Sequence, residues 1–87
     1  MVAVVTVIGK DMVGILAKVA GVCAEANANV LEVTQSVLDE YFAMVMLIDI
    51  SKMDPDITGL TRTLEAKVPD MKVHVMHEDI FNSMHRI

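Results

Sequence analysis

The sequence predicts an α+β domain with the element order strand, helix, strand, strand, helix, strand. Four segments of strand length cover residues 2–8, 30–38, 41–50 and 71–77; the first and third are nearly all apolar, the second is largely polar on one face, and the fourth alternates apolar and polar residues. Between them lie two stretches in which apolar residues recur every three or four positions, the spacing of an amphipathic helix. A chain of 87 residues is long enough for one small domain of this kind.

The first half supplies a strand, a helix and a hairpin. Residues 2–8 are apolar apart from Thr6, which is typical of a buried strand. A helix is predicted over residues 12–27, with Gly14 in its first turn. The polar pair at positions 39 and 40 separates the second and third strands as a short hairpin turn. The apolar stripe of the helix is predicted to be Met12, Leu16, Val19, Cys23 and Ala26.

The second half repeats the pattern and adds a tail. Asp54 is predicted to be the N-cap of the second helix, with Pro55 at its first position, and Pro69 ends that helix. Its stripe is predicted to be Ile57, Leu60, Leu64 and Val68. Residues 78–87 are expected to form a short amphipathic helix with Ile80, Phe81, Met84 and Ile87 on one side.

Two βαβ units with right-handed crossovers fold into a ferredoxin-like βαββαβ sandwich. We therefore predict a four-stranded antiparallel sheet of order 4-1-3-2, with both helices on one face and a C-terminal tail helix. The first and third strands are the most apolar, as central strands should be. The chain is divided into a domain over residues 1–77 and a tail over residues 78–87 that packs on its own or a neighbouring subunit.

The first strand has apolar residues on both of its faces. Ala3 and Val5 point to one face, and Val2 and Val4 point to the other. The helices cover one face only, so the tail or a second subunit must cover the other. We expect a homo-oligomer, a dimer or larger.

Composition narrows the possible partners. Hydrophobic residues make up 54% of the chain, yet charged residues interrupt every apolar run before it reaches membrane-spanning length. The net charge is −5 with scattered cations, which argues against nucleic acid. A single cysteine and the lack of a signal-peptide pattern indicate a cytoplasmic protein.

The stretch "VIGKDMVGIL" joins the first strand to the first helix. A helix start favours a carboxylate, Gly14 permits close approach of a ligand, and Asp11 is suited to pair with an ammonium group. An α-amino acid carries both charges. The same residues also suit an ordinary helix cap, and the physical argument leaves both interpretations open.

The segment "GKDMVGILAKVAGVCAEANANV" resembles the Gly-x-Asp-x-x-Gly signature of ACT domains. The segment "TQSVLDEYFAMVMLIDIS" is similar to small stand-alone ACT proteins related to the glycine-cleavage-system repressor. The resemblance implies a non-catalytic regulatory module without a cofactor, which binds amino acids where two domains meet and is read by a partner enzyme or regulator. One departure is Val13, where many relatives have proline. The implied ligand-binding residues are Gly9, Lys10, Asp11, Met12, Val13, Gly14 and Ile15 in the first loop, and Asn29 and Val30 at the second strand.

Two function hypotheses therefore remain, an amino-acid sensor and an assembly subunit without a ligand. A metal site is not expected, because His74 and His77 would lie on opposite faces of a strand and His85 is in the tail. Cys23 is expected to be a core residue rather than a nucleophile.

Overall fold

The computed structural model describes residues 1–10, 14–53 and 56–84 and confirms the predicted ferredoxin-like fold. The strands pair in the order β2-β3-β1-β4, and every neighbouring pair is antiparallel. The most apolar strands are thus the central ones. The elements are β1 (Val2–Gly9), α1 (Ile15–Glu25), β2 (Asn29–Leu38), β3 (Tyr41–Asp49), α2 (Ile57–Lys67), β4 (Lys72–His77) and α3 (Glu78–Met84).

The main core lies between the sheet and the helices α1 and α2. Alternate residues of each central strand point into it, because successive side chains of a strand face opposite ways. The sheet contributes Ala3, Val5, Val7, Phe42, Met44, Met46, Ile48 and Val73, and the helices contribute Ile15, Val19, Val22, Cys23, Leu60 and Leu64.

Helix α1 begins at Ile15, later than predicted, and Gly14 is its N-cap rather than part of its first turn. The backbone of Gly14 is left-handed, with φ of 72°, so the helix cannot extend back through it. The predicted stripe is wrong at Leu16, which is 39% exposed, whereas Ile15 and Val22 are buried. Met12 lies outside the described residues.

Helix α2 begins at Ile57 and is capped by Asp56, whose carboxylate accepts a hydrogen bond of 2.7 Å from the Gly59 N–H. The predicted cap at Asp54 is two residues too early, and Asp54 and Pro55 lie outside the described residues. The helix ends at Lys67, and Val68 has left the helical conformation (φ −129°, ψ 67°), because the α region is disfavoured for a residue before proline. Leu60, Leu64 and Val68 are buried, as predicted.

The opposite side of the sheet, here called the outer face, is partly covered by α3. This helix contacts β1 and β4. Val4 is fully buried although it does not belong to the main core cluster. Of the predicted tail contacts, Ile80 is 52% exposed and Phe81 is half-buried, whereas the Met84 side chain and Ile87 lie outside what the structure describes. In the described part of the chain, no helix has the length and apolar character needed to cross a membrane.

Candidate functional site

The predicted ligand loop starts at the end of β1 and finishes at the N-terminus of α1. Gly14 makes no side-chain cap, and a Cβ atom built on it would meet no described atom within 4 Å. The first turn of α1 contains no acidic residue. The N-terminus of α1 carries the positive end of the helix dipole, which favours an anion. Asp11, Met12 and Val13 lie outside the described residues, so their predicted roles stay predictions.

Gly9 allows another segment of the chain to approach the end of β1 closely. A Cβ atom at this position would overlap the Sδ atom of Met71 and lie 3.5 Å from the carbonyl oxygen of Asp70. Met71 is 7% exposed and belongs to the core. The missing side chain at Gly9 thus brings the segment before β4 next to the predicted loop.

A cavity of about 390 Å³, here called the terminal hollow, lies beside Gly9. It contains two residues of the predicted loop, together with side chains from the starts of β3 and β4. Its lining residues are Ile8, Gly9, Lys10, Tyr41, Asp70 and Lys72. Two lysines and one aspartate are therefore among the residues that line the hollow.

Lys10 is held loosely over this hollow. Its Nζ atom lies 5.7 Å from the centroid of the Tyr41 ring and 3.7 Å from the Oε1 atom of Glu40. Both side chains of the Lys10–Glu40 pair are more than half exposed, so solvent screens their attraction strongly. Lys10 is consequently available to an anionic ligand at small energetic cost.

The structure does not bring the predicted residues Asn29 and Val30 to this loop within one chain. Gly9 pairs with Phe42 at the start of β3, whereas Asn29 pairs with Asp49 at the end of β3. The seven-residue step between these positions corresponds to about 23 Å along a strand. The predicted nine-residue site can therefore be assembled only from two chains. Ile15 is buried, which leaves only its backbone available to a ligand.

A second cavity, here called the outer-face groove, begins beside the terminal hollow. It has a volume of about 360 Å³, and Ile8 lines both cavities. Its lining residues are Thr6, Ile8, Ala43, Met44, Val45, His74, Met76 and Phe81. Sequence reasoning missed this groove, and also Tyr41, Asp70 and Lys72 in the hollow, because only the pairing of β1 with β3 and β4 brings these residues together.

The remaining candidates behave as structural residues. His74 pairs with Thr6 and His77 pairs with Ala3, which places the histidines on opposite faces of the sheet. Within residues 1–10, 14–53 and 56–84, no three His, Cys, Asp or Glu side chains are grouped to hold a metal ion. Cys23 is fully buried, and burial raises the pKa of its thiol, so it is a poor nucleophile.

Comparison with known proteins decides the family. The profile of the ACT domain family matches residues 2–78, nearly the whole chain. This chain belongs to the ACT domain family. ACT domains are typically regulatory ligand-binding modules.

The ACT assignment agrees with individual relatives. A UPF0237 protein of Clostridium perfringens is 47% identical over 87 residues, with 98% of each chain covered. An ACT domain protein from Streptococcus pneumoniae of known structure is 38% identical, with a TM-score of 0.79 and 98% of each chain covered. A putative glycine cleavage system transcriptional repressor is 21% identical over 85% of this chain and 43% of its own, with a TM-score of 0.60. This last similarity shows a shared fold.

Proposed function

We propose that this ACT domain binds an α-amino acid beside the loop between β1 and α1 and acts as a non-catalytic regulatory module. The observation that carries this proposal is the terminal hollow. It adjoins Gly9 and Lys10 of the predicted loop and presents both signs of charge. A zwitterion is the small ligand that such a pair of charges complements.

The charges of the hollow assign a role to each group of the ligand. Lys10 and Lys72 would bind the α-carboxylate, and Asp70 would bind the α-ammonium group. Ion pairs of this kind recognise a ligand best where the cavity limits its hydration, and a volume of about 390 Å³ is ample for one amino acid. Asp11 remains a second candidate for the ammonium group.

Association of two chains would complete the predicted site. β2 is an edge strand of ten residues with a single charged residue, Glu32, and such an edge is prone to pair with another strand. Antiparallel pairing of two β2 strands would place Asn29 of a second copy at the same end of the joint sheet as Gly9. Ligand binding would then change the contact between subunits, which a regulated enzyme or regulator could read.

The same edge strand also supports the alternative function, an assembly subunit without a ligand. The two functions are separated by thermal unfolding in the presence of each of the twenty amino acids. At about 100 times its dissociation constant, a bound ligand should stabilise the fold by about 2.7 kcal/mol.

Charge-neutralising variants test the location of binding. Lys10→Gln and Asp70→Asn should each abolish the stabilisation by the ligand. Lys52→Gln is the matched control, because Lys52 is an exposed lysine beyond the opposite end of β3. If no amino acid raises the melting temperature of the unmodified protein, the sensor function is wrong and the assembly function stands.

A further inference from the structure

We infer that the amino acid bound by this domain has a long apolar side chain, which lies along the outer-face groove while its charged groups occupy the terminal hollow. The inference rests on the proposed amino-acid binding and adds the class of ligand. It follows from the way the two cavities join on one face of the sheet.

The register of the strands arranges the outer face in rows. Each row contains one residue from β3, one from β1 and one from β4, and neighbouring rows are two residues apart, about 6.7 Å. From the Gly9 end, the rows are Ala43–Ile8–Lys72, Val45–Thr6–His74 and Leu47–Val4–Met76. The cationic end thus leads first to a row of mixed polarity, Val45–Thr6–His74, and then to an apolar row.

Ile8 connects the two cavities. It lines both the hollow and the groove, and its side chain is 45% exposed. A ligand whose carboxylate lies at Lys72 can place its side chain over Ile8 and against Ala43 and Val45, which are apolar lining residues of the groove near that end. The side chains of leucine, methionine and phenylalanine are long enough to span about one row.

The groove offers little to a polar side chain. Of its described lining residues, Thr6 and His74 are the polar ones, and they face each other across β1 and β4. Val4 lies fully buried beneath the outer face, and Phe81 of α3 forms one wall. A charged ligand side chain would lose hydration here without gaining an equivalent partner. An apolar side chain would gain from the same burial.

The charged hollow argues for a small ligand on this face. The outward face of an antiparallel sheet is commonly polar, and β2 keeps that character with Glu32, Thr34 and Ser36 on the outer side. The apolar part is confined to the strip between this polar strand and α3. It ends at the lysines and Asp70, a combination that complements a zwitterion with an apolar tail.

Calorimetric titration of the full chain with two sets of amino acids tests this inference. The best ligand among L-leucine, L-methionine and L-phenylalanine should bind at least about tenfold more tightly than glycine, L-alanine or L-serine. The reason is that each buried apolar carbon adds to the affinity. Hexanoate, which has an apolar chain and a carboxylate without the ammonium group, should bind at least about tenfold more weakly than that best ligand.

Variants of the groove wall locate the side chain. Phe81→Ala should reduce the preference for the apolar amino acid, whereas Ile80→Ala, a change at the exposed neighbour outside the groove, should preserve it. If Phe81→Ala does not fold, Val45→Thr tests the groove instead, because threonine has nearly the same shape as valine. It should also reduce the preference, and Val37→Thr on β2 is its control.

The outcomes separate the two proposals. Equal or tighter binding of glycine or serine would overturn the apolar-ligand inference and leave amino-acid binding intact. If hexanoate binds as tightly as the best amino acid, the ammonium group is not recognised and the zwitterion proposal is wrong. If both Phe81→Ala and Val45→Thr keep the preference for the apolar amino acid, the placement of its side chain in the groove is wrong. Failure of every amino acid to bind would overturn both proposals.

Discussion

Two glycines frame the loop between β1 and α1, and each is needed for a different physical reason. Gly14 has a positive φ, which an L-residue with a side chain adopts at a cost of about 1–2 kcal/mol. Gly9 has no such backbone constraint but lies against Met71. The glycine pattern in the sequence identified the loop, whereas the contact with Met71 depends on a chain segment about sixty residues away and has no local signature.

Gly9→Ala should destabilise the domain by about 1 kcal/mol, because the added methyl group displaces the flexible end of the buried Met71 side chain. Urea unfolding measures the change. Gly21→Ala is the control, since a Cβ there meets no described atom within 4 Å and alanine should stabilise α1 by up to about 1 kcal/mol. In a double-mutant cycle, Met71→Ala should relieve part of the Gly9→Ala cost. Strictly additive effects would contradict the proposed overlap.

Asp49 is the residue whose ionisation the fold alters most clearly. The Ser51 hydroxyl donates a hydrogen bond of 2.7 Å and the Ser51 N–H one of 2.9 Å to its carboxylate, and these bonds lower the pKa of Asp49. A carboxyl whose folded pKa lies below its unfolded pKa stabilises the fold above the unfolded value. That contribution is lost as the pH falls through the folded pKa.

Ser51→Ala should therefore raise the pKa of Asp49 and move the onset of this acid-induced loss to higher pH. Titration of the side-chain carboxyl carbons by NMR measures the pKa directly. Thr63→Ala is the control, because the Thr63 hydroxyl donates to the Gly59 carbonyl in α2 and does not contact Asp49. An unchanged pKa of Asp49 in Ser51→Ala would show that this hydrogen bond is not its cause.

At the scale of elements, the strands were predictable and the helix starts were not. Apolar and alternating segments of strand length identified the strands, and the apolar excess of β1 and β3 correctly placed these two at the centre. The predicted stripe of α1 failed at Leu16, because packing on the sheet buries the face centred on Ile15, Val19 and Val22 and leaves Leu16 at its edge. At α2, two aspartates flank Pro55, and both fit the rules for a cap.

Asp56→Ala should cost about 0.5–2 kcal/mol of unfolding free energy, because it removes the acceptor for the Gly59 N–H. Asp54→Ala tests the cap that the sequence favoured and should cost less. Chemical denaturation of the two variants compares them directly. A larger loss in Asp54→Ala would contradict the assignment of Asp56 as the cap.

In the candidate site too, residues of a local motif were predictable, whereas residues that strand pairing brings in from elsewhere in the chain were not. Gly9 and Lys10 were identified from a short motif, and the structure places them on the terminal hollow. Tyr41, Asp70 and Lys72 reach that hollow through strand pairing, which a motif cannot encode. Asn29 came from the family pattern, and its distance from Gly9 within one chain makes its role depend on a second copy.

At the scale of the whole molecule, the exposed β2 edge determines how two chains would meet. Two copies paired antiparallel about the middle of β2 would bring Thr34 close to Thr34 of the second copy, because residue 34 lies near the centre of the strand. Like charges placed opposite each other destabilise such a pair.

We therefore expect the protein to sediment at a mass above the 9.5 kDa of one chain at micromolar concentration. Thr34→Lys should shift it toward the monomer. Ile80→Lys, a charge placed on the exposed side of α3, should leave the association unchanged and serves as the control. A monomer at all concentrations would contradict pairing through β2, and dissociation by Ile80→Lys alone would place the contact on the tail instead.

The most direct measurement is a ¹⁵N–¹H correlation titration of the full chain with L-leucine, L-methionine and L-phenylalanine. For the amino acid that binds, we expect saturable shifts of the amide signals of Gly9, Lys10 and Lys72 that extend to Val45 in the groove. The amides of Ser51 and Lys52, at the far end of the sheet, should stay in place. Shifts confined to that far end, or a spectrum unchanged by all three amino acids, would contradict the binding of an apolar amino acid at the hollow and groove.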